Sequence, residues 1–408
     1  MAYEDTAFRR KSDDSDDPAY RNGTGAAEYR NGRLGSDGDG PAEPPRRSAD
    51  EARDRVGIHL GWEIVLLLAV AAIGYLLYRL DPAALRRPAL DTLLITGTSI
   101  GLLALGAGLT LRAGVPNLAL GPIALAGALH YAEQGDRGLL DAALPALGIA
   151  AIGGLLVGLL IFGLHVPAWA ATLGAGMGVV VYDQLRTAPV QVQGTYDPSD
   201  QAFYLFGGFA LVAVVGAALG SAAPVRRVIG RMRPGGDPAV RRDGAAALPV
   251  IATMVVSSVF AAAAGILMAA QSAGPIRPGT GLEWTGIAIG TALFAGTSAF
   301  GRRGGVFGTL LAVAGVTLFL DYTARRDMDI SLFAVAAALI GAGLVVTRLV
   351  ETYGRPLPLA GSDEDWQATA AGAAPATFTP DLPETWTPAT ATQKRTDRWD
   401  DGAWGSGR

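Results

Sequence analysis

The sequence predicts an all-α, polytopic membrane protein with about ten transmembrane helices set between two disordered tails. Three observations predict it. Half of the 408 residues are hydrophobic, and mean hydropathy is +0.31 although 17% of the residues are charged. Those charges are segregated: they crowd into residues 1–57, a few short loops and the stretch after residue 354. Between them run apolar segments of about 18–25 residues, the length an α-helix needs to cross roughly 30 Å of hydrocarbon. The segments are continuously apolar with no period-two alternation, which argues against a membrane barrel.

Taken in order, residues 1–57 mix Asp, Arg, Gly, Ser and Pro with few large apolar side chains. Such a segment buries too little surface to offset ordering entropy, so it is expected to be disordered. No apolar stretch with a small-residue cleavage site lies near Met1, so no signal peptide is expected. The spans are placed at 60–80, 92–110, 118–131, 142–164, 167–185, 203–219, 246–270, 284–300, 306–320 and 330–350. The third is short and contains Pro122, so it is expected to be broken or re-entrant. The membrane-spanning core therefore occupies 58–353. Residues 354–408, rich in Pro, Thr, Ala and Asp, form a second disordered tail, with Trp366, Trp386, Trp399 and Trp404 as its only unusual feature.

Arginine placement orients the bundle. Arg226, Arg227, Arg231, Arg233, Arg241 and Arg242 lie in the loop before the seventh span, and Arg302 and Arg303 in the turn before the ninth. An even number of spans separates each from the N-terminus, so both termini are expected in the cytoplasm; Arg86, Arg87, Arg325 and Arg326 run against this bias. The cationic residues are nearly all Arg, Lys11 and Lys394 being the exceptions, which with abundant Ala and Gly fits a high-GC bacterial genome. The expected location is the bacterial cell membrane.

Several chemistries are excluded. There is no cysteine, hence no disulfide or thiolate. His59, His130 and His165 show no metal-ligand spacing, and no metal site is expected. A net charge of −4 without a basic block gives nucleic acid no footprint. A P-loop needs Lys after a Gly-rich turn, but Lys11 follows two arginines and Lys394 follows Gln393. No catalytic residue is assigned and no cofactor is expected on this chain, so any ATP must be used by another subunit. Asp183 and Glu283 lie near span ends, whereas ion-coupled carriers place such groups at mid-membrane.

Four segments carry a resemblance. They are GVPNLALGPIALAG at 114–127, GGLLVGLLIFGLHVPAWAATLG at 153–174, GGDPAVRRDG at 235–244 and GTSAFGRRGGVFGTLL at 296–311. In this order and spacing they resemble the permease subunit of ribose/xylose-type ABC importers, within the broader family that includes branched-chain amino acid and nucleoside permeases. Asn117 departs from the sugar branch, where Asp is more usual, and the 235–244 loop is more basic than the family pattern. The resemblance implies a transmembrane subunit with no enzymatic activity of its own, importing a monosaccharide. Branched-chain amino acids or nucleosides, or an ion-coupled secondary carrier, are the alternatives. It implies as partners an ATP-binding subunit, an extracytoplasmic substrate-binding protein and a second permease copy or paralogue. Asp237, Pro238, Arg241 and Arg242 are then the expected ATPase-docking residues; Asp237 as N-cap with Pro238 in the first turn suits a short cytoplasmic helix. Asn117, Thr172 and Thr297 are the expected pathway or packing positions.

Overall fold

The structure, a computed structural model, describes residues 56–221, 247–298 and 306–353. Both tails, the 222–246 loop with Asp237, Pro238, Arg241 and Arg242, and the 299–305 turn lie outside the described residues.

Among the described residues the fold is all-α, with no strands. The helices are α1 Val56–Leu80, α2 Ala89–Arg112, α3 Leu120–Gln134, α4 Leu139–Gly163, α5 Ala168–Gln184, α6 Ala202–Ser221, α7 Ala247–Ala270, α8 Leu282–Phe294, α9 Gly308–Arg325 and α10 Leu332–Tyr353. Six of them, α1, α2, α4, α6, α7 and α10, are long and apolar enough to cross a bilayer. A multi-pass membrane protein is the class this supports.

The helices fall on the expected segments with two differences. Pro122 does not break α3. It lies in the first turn, where no amide proton is needed, and so helps to start the helix; the interruption comes earlier, at residues 113–119. The segment 284–300, expected as one crossing, is helical only to Phe294. Gly296 takes φ +90°, and the Thr297 amide donates to the Ala292 carbonyl at 3.1 Å, which closes the helix in a left-handed turn.

Neighbouring contacts define the directions of packing. Gln271 reaches Thr96 while Gly106 faces Ser257, so α2 and α7 run antiparallel. Thr172 meets Pro116 and Arg186 meets Glu133, so α5 runs parallel to α3. Gly286 faces Ala336 and Gly290 faces Leu339, so α8 runs parallel to α10. Backbones approach closely where a glycine allows it. Gly265 of α7 lies directly against the Ala124 carbonyl of α3, and a Cβ on Gly127 would stand 2.7 Å from the Ala262 carbonyl oxygen.

The middle of the bundle is α2, α3, α7 and α8, whose shared cluster includes Leu103, Leu120, Ala261 and Ala288. Large apolar side chains are exposed on α1, α4, α5, α6 and α10, for example Leu68, Ile152, Val181, Leu211 and Val345. These helices form the rim, which a bilayer would wet with hydrocarbon.

At one end of the bundle the 185–201 connection folds back over the helices. Val190 and Ile276 exchange both backbone hydrogen bonds at 2.8 Å, and the Gln193 amide donates to the Ala132 carbonyl at 3.0 Å. Arg186 grips Glu133 through both carboxylate oxygens, with Nη2 to Oε2 at 2.8 Å. This hydrogen-bonded carboxylate holds the Arg186 guanidinium well above its ordinary pKa.

Candidate functional site

The most polar point of the interior is built on the interruption between α2 and α3. The Asn117 side chain accepts from the Ala119 amide at 3.0 Å, a local turn that aims the chain into α3. Its Nδ2 donates to Ser257 Oγ on α7 at 2.9 Å, and its own amide approaches Thr110 Oγ1 on α2 at 3.4 Å. One residue, through its side chain and its own amide, thus ties three helices at 3% exposure. The Thr172 hydroxyl of α5 lies between the carbonyls of Ala168 (2.8 Å) and Pro116 (3.0 Å), which secures α5 to the same interruption.

Helix α3 starts beside Ser257, near the middle of α7, and α8 starts close by. The two helices meet by their amino ends. Gly121 and Gly281 are in backbone contact, with Gly281 at φ +65°. Thr285 of α8 bridges them: its Oγ1 accepts from the Gly121 amide at 2.9 Å and donates to the Leu118 carbonyl at 3.2 Å. A side chain at Gly121 would strike the Gly281 carbonyl, so only glycine permits this approach. Two short helices therefore point their amide-rich, positive ends at the centre of the bundle.

Beside this junction lies a cavity of about 460 Å³ between α3, α4, α5 and α7. Its walls are mainly Ala, Gly, Ile, Val, Leu and Met, with Asn117, Ser258, His130 and Tyr182 the polar contributors. Among the described residues, no Asp, Glu, Lys or Arg lines it. The exposed residues Gly153, Leu156, Gly178 and Tyr182 place its mouth on the outward faces of α4 and α5. Asp183, next to Tyr182, is fully buried, and neither carboxylate oxygen has a hydrogen-bond partner.

A second arrangement holds the far end of α8. Trp62 Nε1 of α1 donates to the Phe294 carbonyl at 2.9 Å, and Glu63 Oε1 accepts from the amides of Phe307 (2.7 Å) and Gly308 (3.2 Å). Adjacent side chains on one helix thus close the carboxyl end of α8 and cap the amino end of α9.

Of the residues singled out in the sequence, Asn117 and Thr172 come together at the α2–α3 interruption, and Asn117 also lines the cavity. Thr297 does not join them; it sits in the turn after α8 at 2% exposure. The four docking residues lie outside the described residues. Sequence reasoning did not single out Ser257, Ser258, Thr285, Trp62 or Glu63. The long-range partners of Ser257, Thr285, Trp62 and Glu63 are more than a hundred residues away, as with Asn117 and Ser257, and no local pattern announces them; Ser258 stands out only because it lines the cavity. Comparison of the chain with family models, curated proteins and solved structures finds no match.

Proposed function

We propose that the chain is the membrane-spanning permease subunit of an ATP-driven importer, its ten helices crossing a bacterial cell membrane with both termini in the cytoplasm. The observation that carries this reading is the junction of α3 and α8. Two shortened helices abutting by their amino ends inside an apolar bundle, with a cavity alongside, are a common construction of solute pathways. A plain helical scaffold gains nothing from interrupting its central helices. The missing P-loop lysine supports an external source of ATP energy, and the four resembling segments support the importer class.

In this reading a second copy or a paralogue completes the path, an extracytoplasmic binding protein delivers solute, and an ATP-binding subunit docks at Asp237, Pro238, Arg241 and Arg242. ATP binding shifts the population between outward-open and inward-open states. The resemblance supports a monosaccharide, with amino acids or nucleosides next. The test is reconstitution in liposomes with and without the ATPase. Uptake is expected only with ATPase and ATP, and the combined Asp237→Ala, Arg241→Ala, Arg242→Ala variant is expected to insert normally but lose ATPase binding. Uptake by this chain alone overturns the reading.

An ion-coupled carrier is the second reading, favoured by buried, unpaired Asp183 beside the cavity. Asp183→Asn separates the two. The importer reading expects uptake to persist, whereas the carrier reading expects loss of gradient-driven uptake and sensitivity of the native protein to an uncoupler.

A further inference from the structure

We infer that the α3–α4–α5–α7 cavity accepts an uncharged solute with an apolar body and polar groups confined to its ends, and excludes both free sugars and zwitterionic amino acids. The inference rests on the proposed reading of the chain as a transport subunit and narrows its substrate class away from the monosaccharide.

The argument starts from the distribution of polarity along the cavity. Asn117 and Ser258 mark one end; His130 and Tyr182 mark the other. The ten residues from Leu120 to His130 rise about 15 Å along α3 at 1.5 Å per residue, which sets the separation of the two ends. Between them the wall is apolar, with Ile123, Gly127, Ile149, Val157, Val179 and Ala262. A monosaccharide carries hydroxyls around its whole ring, and those facing this middle section would lose water and gain no partner. A zwitterion would bring two charges to a wall without Asp, Glu, Lys or Arg.

The polar ends are available to a ligand. The Ser258 hydroxyl and the His130 ring make no hydrogen bond to any described residue. Asn117, by contrast, is already committed to Ala119 and Ser257 and acts as a fixed wall. Two free polar groups at opposite ends of an apolar slot select a rod or plate with a polar group at each end. A lipid acyl chain entering through the α4–α5 mouth would leave both groups unpaired, which argues for a solute over a lipid tail.

The mouth supplies a clean test, because a Cβ added at Gly153 or Gly178 meets no atom within 4 Å. The full chain, in lipid nanodiscs, is titrated with 4,4′-dihydroxybiphenyl, an apolar rod with a hydroxyl at each end, and separately with D-xylose and L-leucine. Saturable binding of the biphenol alone is expected. Gly153→Leu and Gly178→Leu are expected to weaken it about tenfold or more by filling the slot, and Ser258→Ala to weaken it by a smaller factor. ATPase binding is measured in parallel on the same variants and is expected to be unchanged.

Saturable binding of D-xylose or L-leucine that Gly178→Leu abolishes overturns the inference. So does biphenol uptake equal in native and filled variants, which is partition into lipid, or native mass spectra showing a phospholipid displaced only by Gly178→Leu. If the biphenol result holds while no ATPase binds, the cavity assignment stands and the importer reading fails. If ATPase binds but the biphenol does not, the reverse holds.

Discussion

Helices α2 and α4 have nearly the same length, yet they meet different surroundings. Of their most apolar stretches, 61% of α2 is buried within the protein and only 22% of α4. The buried helix is the less hydropathic of the two. It carries Thr98, Ser99 and Thr110, whose hydroxyls return to carbonyls of their own helix, while α4 shows Leu, Ile and Gly to the outside. In water the core is the most apolar place in a protein. Here the solvent is expected to be hydrocarbon, and polarity retreats inward, where Asn117, Ser257 and Thr285 have partners.

The contrast is sharpest at glycine. Gly265, in the centre, touches the α3 backbone, whereas Gly153, on the rim of α4, faces open space. Gly265→Val is expected to cost about 3 kcal/mol or more and to give an aggregated or unfolded product, while Gly153→Val stays within about 0.5 kcal/mol of native. Thermal unfolding in detergent with size-exclusion profiles decides this; equal losses at the two sites would erase the distinction between centre and rim. Asn117→Ala removes one turn acceptor and one inter-helix donor in the interior. A loss of about 2 kcal/mol is expected, visible as a lowered melting temperature, with Ser257→Ala alone costing less because it leaves only Asn117 Nδ2 without its partner and spares the Ala119 turn.

Glu63, a carboxylate at 8% exposure on α1, is with Asp183 of α5 one of two buried carboxylates on the rim helices among the described residues. Glu63→Ala is expected to cost about 1–2 kcal/mol through loss of the α9 cap, and Glu63→Gln less, since an amide oxygen still accepts. The smallest effect is expected at Arg186→Ala, about 1 kcal/mol or less and shrinking as salt rises, because Glu133 is partly exposed. A salt-independent loss there would place this pair in the interior class instead.

Much of the fold was legible because length and apolar continuity are local properties. The segment expected at 142–164 forms Leu139–Gly163, and that expected at 246–270 forms Ala247–Ala270. What escaped was where helices stop short. Gly296 stands two residues beyond the end of α8 and was a readable stop signal, but the apolar run around it favoured a full crossing. The meeting of α3 and α8 was not readable at all, since Gly121 and Thr285 are distant in sequence and each is unremarkable in its own helix. Asn117 was noticed for its resemblance to a motif; that it joins three helices follows only from the packing of Thr110 and Ser257.

The paired backbones of Val190 and Ile276 have a mechanical consequence. They join the connection that follows α5 to the connection that follows α7 at one end of the bundle. A movement that drags one of these connections drags the other with it, so the outgoing ends of α5 and α7 are coupled there.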